Sequence, residues 1–285
     1  MKRIIRLIGV GSLSLFCLSL GPVSGQDLAQ GKGGRAISQK KEKQLSPEQR
    51  KRIREGRRAL IEASKKARAG QPRTAEAKAK ARNIAFEALV KVEAKYRGVP
   101  EVQAEAAYRE GKLLALLGRS RDAVSAYERA ARLLPERYRS KALIQGGHVM
   151  RRMKKLGDAL KYYRLALKGG RGLDAQRARI WEGKVLARLG RMEDARKSWK
   201  VLCSSSHADP FQRILAFDAL AGSYLRQGDL RQARLVLKDA DETLSALSSP
   251  EEKLGKKIQE RLSRMSSRRR LRQRLEKEAA AKSGK

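Results

Sequence analysis

The chain has 285 residues, with 67 Lys and Arg against 30 Asp and Glu, a formal net charge of +37, and only 5% aromatic residues. Length alone allows one large domain or two small ones. The scarcity of aromatic and β-branched residues argues against a β-rich enzyme, while the abundance of Ala, Leu, Arg, Lys and Glu predicts an all-α chain.

In chain order, Lys2, Arg3 and Arg6 precede an apolar stretch from Leu7 to Leu20, and Gly21-Pro22-Val23-Ser24-Gly25 follows. This pattern predicts a signal peptide over 1–25, cleaved near Gly25/Gln26, and hence export to a periplasm or cell envelope. A retained anchor is the alternative, although the apolar run is short for a membrane span. Cys17 follows Phe16, where a lipidation signal wants a small residue, and cleavage would leave Cys203 without a disulfide partner in the chain.

Residues 26–45 lack an apolar period and read as a disordered basic linker. Ser46-Pro47-Glu48-Gln49 is a capping box that opens a charged helix over 46–72. Its apolar positions, Ile53, Leu60 and Ile61, are sparse, so loose docking is expected. After Pro72, the stretch from Thr74 to Tyr96 carries Ala77, Ala81, Ile84, Ala85, Leu89 and Val92 at helical spacing. Residues 73–102 are therefore read as an N-terminal capping helix or half-repeat.

Between about 103 and 248 the chain repeats itself. Ala followed four residues later by a large apolar residue recurs as Ala123/Tyr127, Ala159/Tyr163, Ala195/Trp199 and Ala233/Leu237, at intervals of 36, 36 and 38 residues. A small residue, Gly111, Gly147, Gly183 or Ala221, stands twelve residues before each alanine. Small residues at a helix crossing let two axes approach while the large side chain fills the space beside them. Gly118, Gly190 and Gly228 fall at the turns, where a positive φ is useful; the second unit lacks such a glycine and carries Gly157-Asp158 instead. The units are placed at about 103–137, 138–173, 174–209 and 210–248.

Ser249-Pro250-Glu251-Glu252 is a second capping box, and Leu254, Ile258, Leu262 and Met265 lie on one helical face, which predicts a C-terminal capping helix over 249–267. The remainder, 268–285, is a basic tail with only Leu271 and Leu275 as apolar anchors and is expected to project or fray.

These residues resemble the tetratricopeptide repeat family, with a small residue in the first helix, Ala-x-x-x-aromatic in the second, and a closing Leu133-Leu134-Pro135 in the first unit. The resemblance covers about half of the chain. It implies an all-α, right-handed α-solenoid of about four antiparallel helical hairpins with flanking helices. It also implies a concave groove lined by the first helix of each unit. By register the lining would be Tyr108, Lys112, Lys141, Ile144, His148, Arg151, Arg177, Lys184, Arg188 and Arg226. Most of these are cationic, so the expected partner is an acidic protein or peptide. The paired asparagines of the family's carboxylate clamp are missing.

Chemistry is otherwise sparse. His148 and His207 are the two histidines. Cys203, His207 and Asp209 have metal-like spacing but fall short of four good ligands, and Gly31-Lys32-Gly33-Gly34 lacks the strand and the Gly-Lys-Ser/Thr element of a phosphate loop. The expectation is a non-catalytic scaffold with no catalytic residue, cofactor or metal. Outside the signal, the charge is spread as +10, +16 and +8 over 26–73, 74–249 and 250–285. That distribution supports an alternative, binding to anionic lipid, lipopolysaccharide, acidic polysaccharide or nucleic acid, the last being less available after export.

Overall fold

The computed structural model describes residues 45–68, 70, 73–170, 172–245 and 253–283, nearly all of them helical. The signal segment, most of the linker and the capping box at 249–252 lie outside the described residues. No helix among the described residues is long and apolar enough to cross a membrane.

Helix α1 (Pro47–Lys65) starts at Ser46, whose Oγ accepts from the Gln49 N–H at 3.1 Å while the Gln49 side chain accepts from the Ser46 N–H at 2.9 Å. Two N-terminal N–H groups are thereby satisfied. Thr74 caps α2 (Ala75–Lys95) in the same way through its hydroxyl. Proline then opens α3 (Pro100–Leu116) and α5 (Pro135–Arg152), where the missing N–H costs nothing. Pro135 therefore starts a helix in the same step that closes the preceding unit.

The array runs α3 with α4 (Ser120–Leu133), α5 with α6 (Leu156–Gly169), α7 (Gly172–Arg188) with α8 (Met192–Cys203), and α9 (Pro210–Gln227) with α10 (Leu230–Ser245). Each helix packs on the next, so the fold is all-α with its helices stacked in chain order. One turn geometry recurs four times. The N–H groups of Arg119, Lys155, Arg191 and Asp229 donate to the carbonyls of Leu114, Met150, Leu186 and Tyr224 at 2.9–3.0 Å. This six-residue closure requires a left-handed residue just before the donor. Gly118, Gly190 and Gly228 supply it with φ near 80° (78°, 79° and 83°), and in the second hairpin Lys154 supplies it with φ 62°. Gly157 lies inside α6 and takes no part in that turn.

The hairpin core is built of the small and large pairs. Ala123, Tyr127, Ala159, Tyr163, Ala195, Trp199, Ala233 and Leu237 are all buried. A Cβ on Gly111 or on Gly147 would come within 2.7 Å of the ring of Tyr127 or Tyr163, and one on Gly183 would collide with the Trp199 indole. Glycine in a helix interior costs about 0.5–1 kcal/mol relative to alanine, which here is offset by the close approach that the ring fills. In the fourth hairpin Ala221 carries a Cβ at the equivalent position, and the ring is reduced to Leu237. Both sides of the pair change together.

Two flanking elements differ from expectation. Helix α1 is firmly docked: Ile53, Leu60 and Ala63 are buried with Leu89, Tyr96, Val99, Val102 and Ala106. Gly56 lets Val102 approach, and Arg109 Nη1 donates to the Leu60 carbonyl and to Ser64 Oγ, both at 2.8 Å. Ile61 and Ile84 face solvent instead. At the other end α11 (Lys253–Ser263) buries Ile258 and Leu262 but exposes Leu254. The chain then turns into α12 (Ser266–Ser283), which packs on α9 and α10 from its first residues and buries Ser267 and Leu271. The basic segment from 268 is a docked helix because polar groups hold its start, a device that a search for apolar anchors misses.

Lys154 sits where a side chain costs about 1–2 kcal/mol in left-handed backbone. Replacing it with glycine, Lys154→Gly, should stabilise the protein by about 1 kcal/mol and raise Tm by a few degrees. Urea unfolding checks this; equal or lower stability would contradict the strained turn.

Candidate functional site

The first helices of the hairpins bring the expected residues into two clusters of aromatic rings and cations. In the first, Tyr108 on α3 lies with its ring centroid 5.7 Å from that of Tyr127 and 5.5 Å from that of Tyr138 on α5. Lys112 stands 5.1 Å from the Tyr108 centroid, and Lys141 stands 4.3 Å from Tyr138 and 5.5 Å from Tyr108. The negative faces of the phenol rings hold the ammonium groups in place. Burial and the neighbouring Arg137 hold Lys141 below the usual lysine range, and burial followed by Asp174 raises Tyr108. Lys141 is therefore a partly desolvated cation, whose pairing with an anion is stronger than in bulk water.

The second cluster centres on Trp181 of α7. Arg151 lies 4.8 Å and Lys184 4.6 Å from its ring. His148 meets it edge-on at 4.7 Å, and Tyr163 stacks on it at 6.4 Å with 19° between the planes. His148 Nδ1 and Tyr163 Oη are 2.7 Å apart. Burial lowers Lys184, and Arg151 adds to that effect while Asp218 opposes it. Arg151 Nε is buried without a hydrogen-bond partner among the described residues. An unmet donor beside the Lys184 ammonium is a place where an incoming acceptor gains most.

Two of the three rings that fill hairpin gaps pack against the rings that carry these cations. Tyr127 packs on Gly111 and faces Tyr108; Tyr163 packs on Gly147 and reaches His148 and Trp181. Helix packing thus bears on cation position through Tyr108 and Trp181, on which the cations stand.

The remaining expected residues are placed differently. Arg188 is exposed and adds positive potential at Tyr163. Arg177 is exposed and paired with Asp174 in its own helix at 3.4 Å, so its charge is partly met. Ile144 is buried in the core and cannot line a groove. Arg226 lies away from both clusters, next to Arg270 of α12. Register does not single out Trp181 or Tyr138, although Trp181 three residues before Lys184 is a helix-face neighbour that the spacing shows. Asp209, from the candidate metal trio, caps α9 by accepting the Gln212 N–H at 3.1 Å, and burial first and Asp239 second push the Cys203 thiol up to about 12.

No protein-family model matches the sequence, and no curated protein does. Solved structures do match in fold. A crystal structure of MamA is 19% identical, covering 57% of this chain and 89% of its own, with a TM-score of 0.46. The TPR-like repeats of a Podosopora anserina kinesin light chain are 13% identical, covering 67% and 95%, with a TM-score of 0.49. YrrB, described as a TPR protein with an unusual peptide-binding site, is 20% identical, covering 66% and 92%, with a TM-score of 0.40.

Burial, then the positive charges of Arg151, Arg152 and Lys184, lower His148 to about 4. Its imidazole is therefore neutral at physiological pH and acts as a polar ring, not as an extra cation. NMR titration should show His148 protonating near pH 4; a midpoint between about 6 and 7 would contradict the burial.

Proposed function

We propose that this protein is a non-catalytic scaffold that holds an acidic segment of a partner protein against the two ring-and-cation clusters. The observation that carries the reading is Trp181 with Arg151 and Lys184 held on it and a buried Arg151 donor left unmet. A carboxylate entering there finds cations already positioned, with little rotamer entropy left to lose. Tyr108, Lys112 and Lys141 offer a second point of attachment on the neighbouring hairpins. Two fixed points favour an extended segment over a single residue. We further propose that the chain acts after export, in a bacterial periplasm or envelope, on the three-part pattern of residues 1–25.

A second reading, binding of envelope polyanions by diffuse charge, rests on the net charge of +37. The two readings differ in which residues matter. A fluorescein-labelled Asp/Glu-rich peptide should bind the full chain at about 0.15 M salt, and its uncharged Asn/Gln analogue should not. Changing Arg151→Gln with Lys184→Gln should weaken binding by about tenfold or more, whereas Arg121→Gln with Lys200→Gln, on exposed faces of second helices, should change it by less than about threefold. Equal weakening by the two pairs would replace the scaffold reading with diffuse polyanion attraction.

A further inference from the structure

The start of α12 is held by polar groups of the last hairpin. Asp218 on α9 accepts from Ser266 Oγ at 3.0 Å, from the Ser267 N–H at 2.8 Å and from Ser267 Oγ at 2.7 Å, so a carboxylate of another helix caps α12. Arg268 pairs with Asp241 of α10, and Leu271 is buried. These contacts fix the roll of α12 about its axis. Arg270, Gln273, Arg274 and Lys277, spaced for one helical face, are thereby turned toward Leu225 and Arg226 at the end of α9, and the six line a pocket of about 320 Å³.

Four cations converge on this pocket, and among the described residues no carboxylate lines it or forms an ion pair with any of the four. The neighbouring cations are treated differently: Arg268 has Asp241, and Arg196 has Glu193, Ser223 and Gln227. Crowding is evident at Arg226, whose protonation is disfavoured first by burial and then by Arg270 and Arg196. The end of α9 contributes the equivalent of only about half a negative charge, so most of the positive charge is unbalanced. A second pocket of similar size, between α10 and α12, also carries cations, Arg231, Arg234 and Lys238, but its lining adds Glu278 and three leucines, and Lys238 is paired with Glu242.

We propose that the pocket lined by Arg226, Arg270, Arg274 and Lys277 binds a multiply charged phosphate group, carried either by a free oligophosphate or by a lipid headgroup. A single carboxylate brings one charge and two acceptor oxygens, too few for three guanidinium forks and an ammonium. A phosphate chain brings several charges and acceptors on every face, and forked guanidinium donors match them two at a time. The pocket is at the small end of the volumes that hold small-molecule ligands, which suits such a group. This site is separate from the clusters around Trp181 and does not depend on them.

The test uses the full chain, with sodium tripolyphosphate as the soluble probe and phosphatidylcholine vesicles with and without phosphatidate as the surface probe. Calorimetry at about 0.15 M salt should give saturable binding of tripolyphosphate, weakened about tenfold or more by Arg270→Gln, Arg274→Gln and Lys277→Gln together. A charge-matched triple on exposed positions, Arg121→Gln, Lys168→Gln and Lys200→Gln, should weaken it by less than about threefold. Arg226→Gln alone leaves α12 untouched and should weaken binding by about threefold or more, which keeps the test valid if the pocket triple unfolds. Phosphatidate-dependent vesicle binding that the pocket triple abolishes assigns the lipid source, and vesicle binding equal in both triples assigns the free oligophosphate. Unsaturable tripolyphosphate binding, or equal weakening by the pocket and control triples, would overturn the site.

Discussion

The contact on which the structure depends is an aromatic ring seated on a glycine of the paired helix. It sets the distance between the two helices of each of three hairpins: Gly111 with Tyr127, Gly147 with Tyr163, and Gly183 with Trp199. A single amphipathic hairpin cannot bury its apolar face, so each pair gains stability only as its neighbours stack on it. The ring does more than fill a gap. Tyr127 and Tyr163 extend past their glycines to Tyr108, His148 and Trp181, and so the packing that spaces the helices also places the surface on which lysines and arginines are held.

Charge is the second constraint, because an excess of cations this large opposes compaction. Several carboxylates sit at junctions between helices. Arg129 on α4 forks to Glu93 on α2 at 3.0 Å and also binds the buried Glu110 on α3, tying three helices together. Burial first and Glu93 second raise the Glu110 carboxyl well above the ordinary range, with Arg129 opposing, so the cluster holds on to a proton more readily than an exposed glutamate does. Asp218 and Asp241 fasten α12 in the same manner. With these acids engaged at junctions, cations remain unbalanced around Trp181 and between α9 and α12.

Much of this was legible in the residues. The Ala and aromatic spacing, with a small residue twelve positions earlier, states a packing relation between two helices, and helix period converts it into hairpins. Features resting on a single backbone angle or on polar contacts were not legible. Lys154 takes a left-handed turn that a search for glycine passes over. Helix α1 docks through Gly56 against Val102 and through Arg109, and α12 docks through Ser266, Ser267 and Arg268, none of which an apolar stripe reveals. Register places Lys184, His148 and Arg151 together but cannot show that Ile144 turns inward or that Arg226 meets α12. Trp181, the centre of the second cluster, escapes it because the repeat pattern explains the residues it recurs on and says nothing of those found in one unit alone.

The fourth hairpin points to the decisive measurement, since it carries Ala221 opposite Leu237 where the others carry glycine opposite a ring. A double-mutant cycle of Gly183→Ala and Trp199→Leu, followed by urea unfolding, reads the coupling directly. If the close approach governs the fold, Gly183→Ala costs about 1–3 kcal/mol with Trp199 present. In the Trp199→Leu background the cost falls by at least about 1 kcal/mol, or reverses sign through the better helix propensity of alanine. Equal cost in both backgrounds would mean that the glycine and the ring act independently, and the account of how these hairpins hold together and position their cations would be wrong.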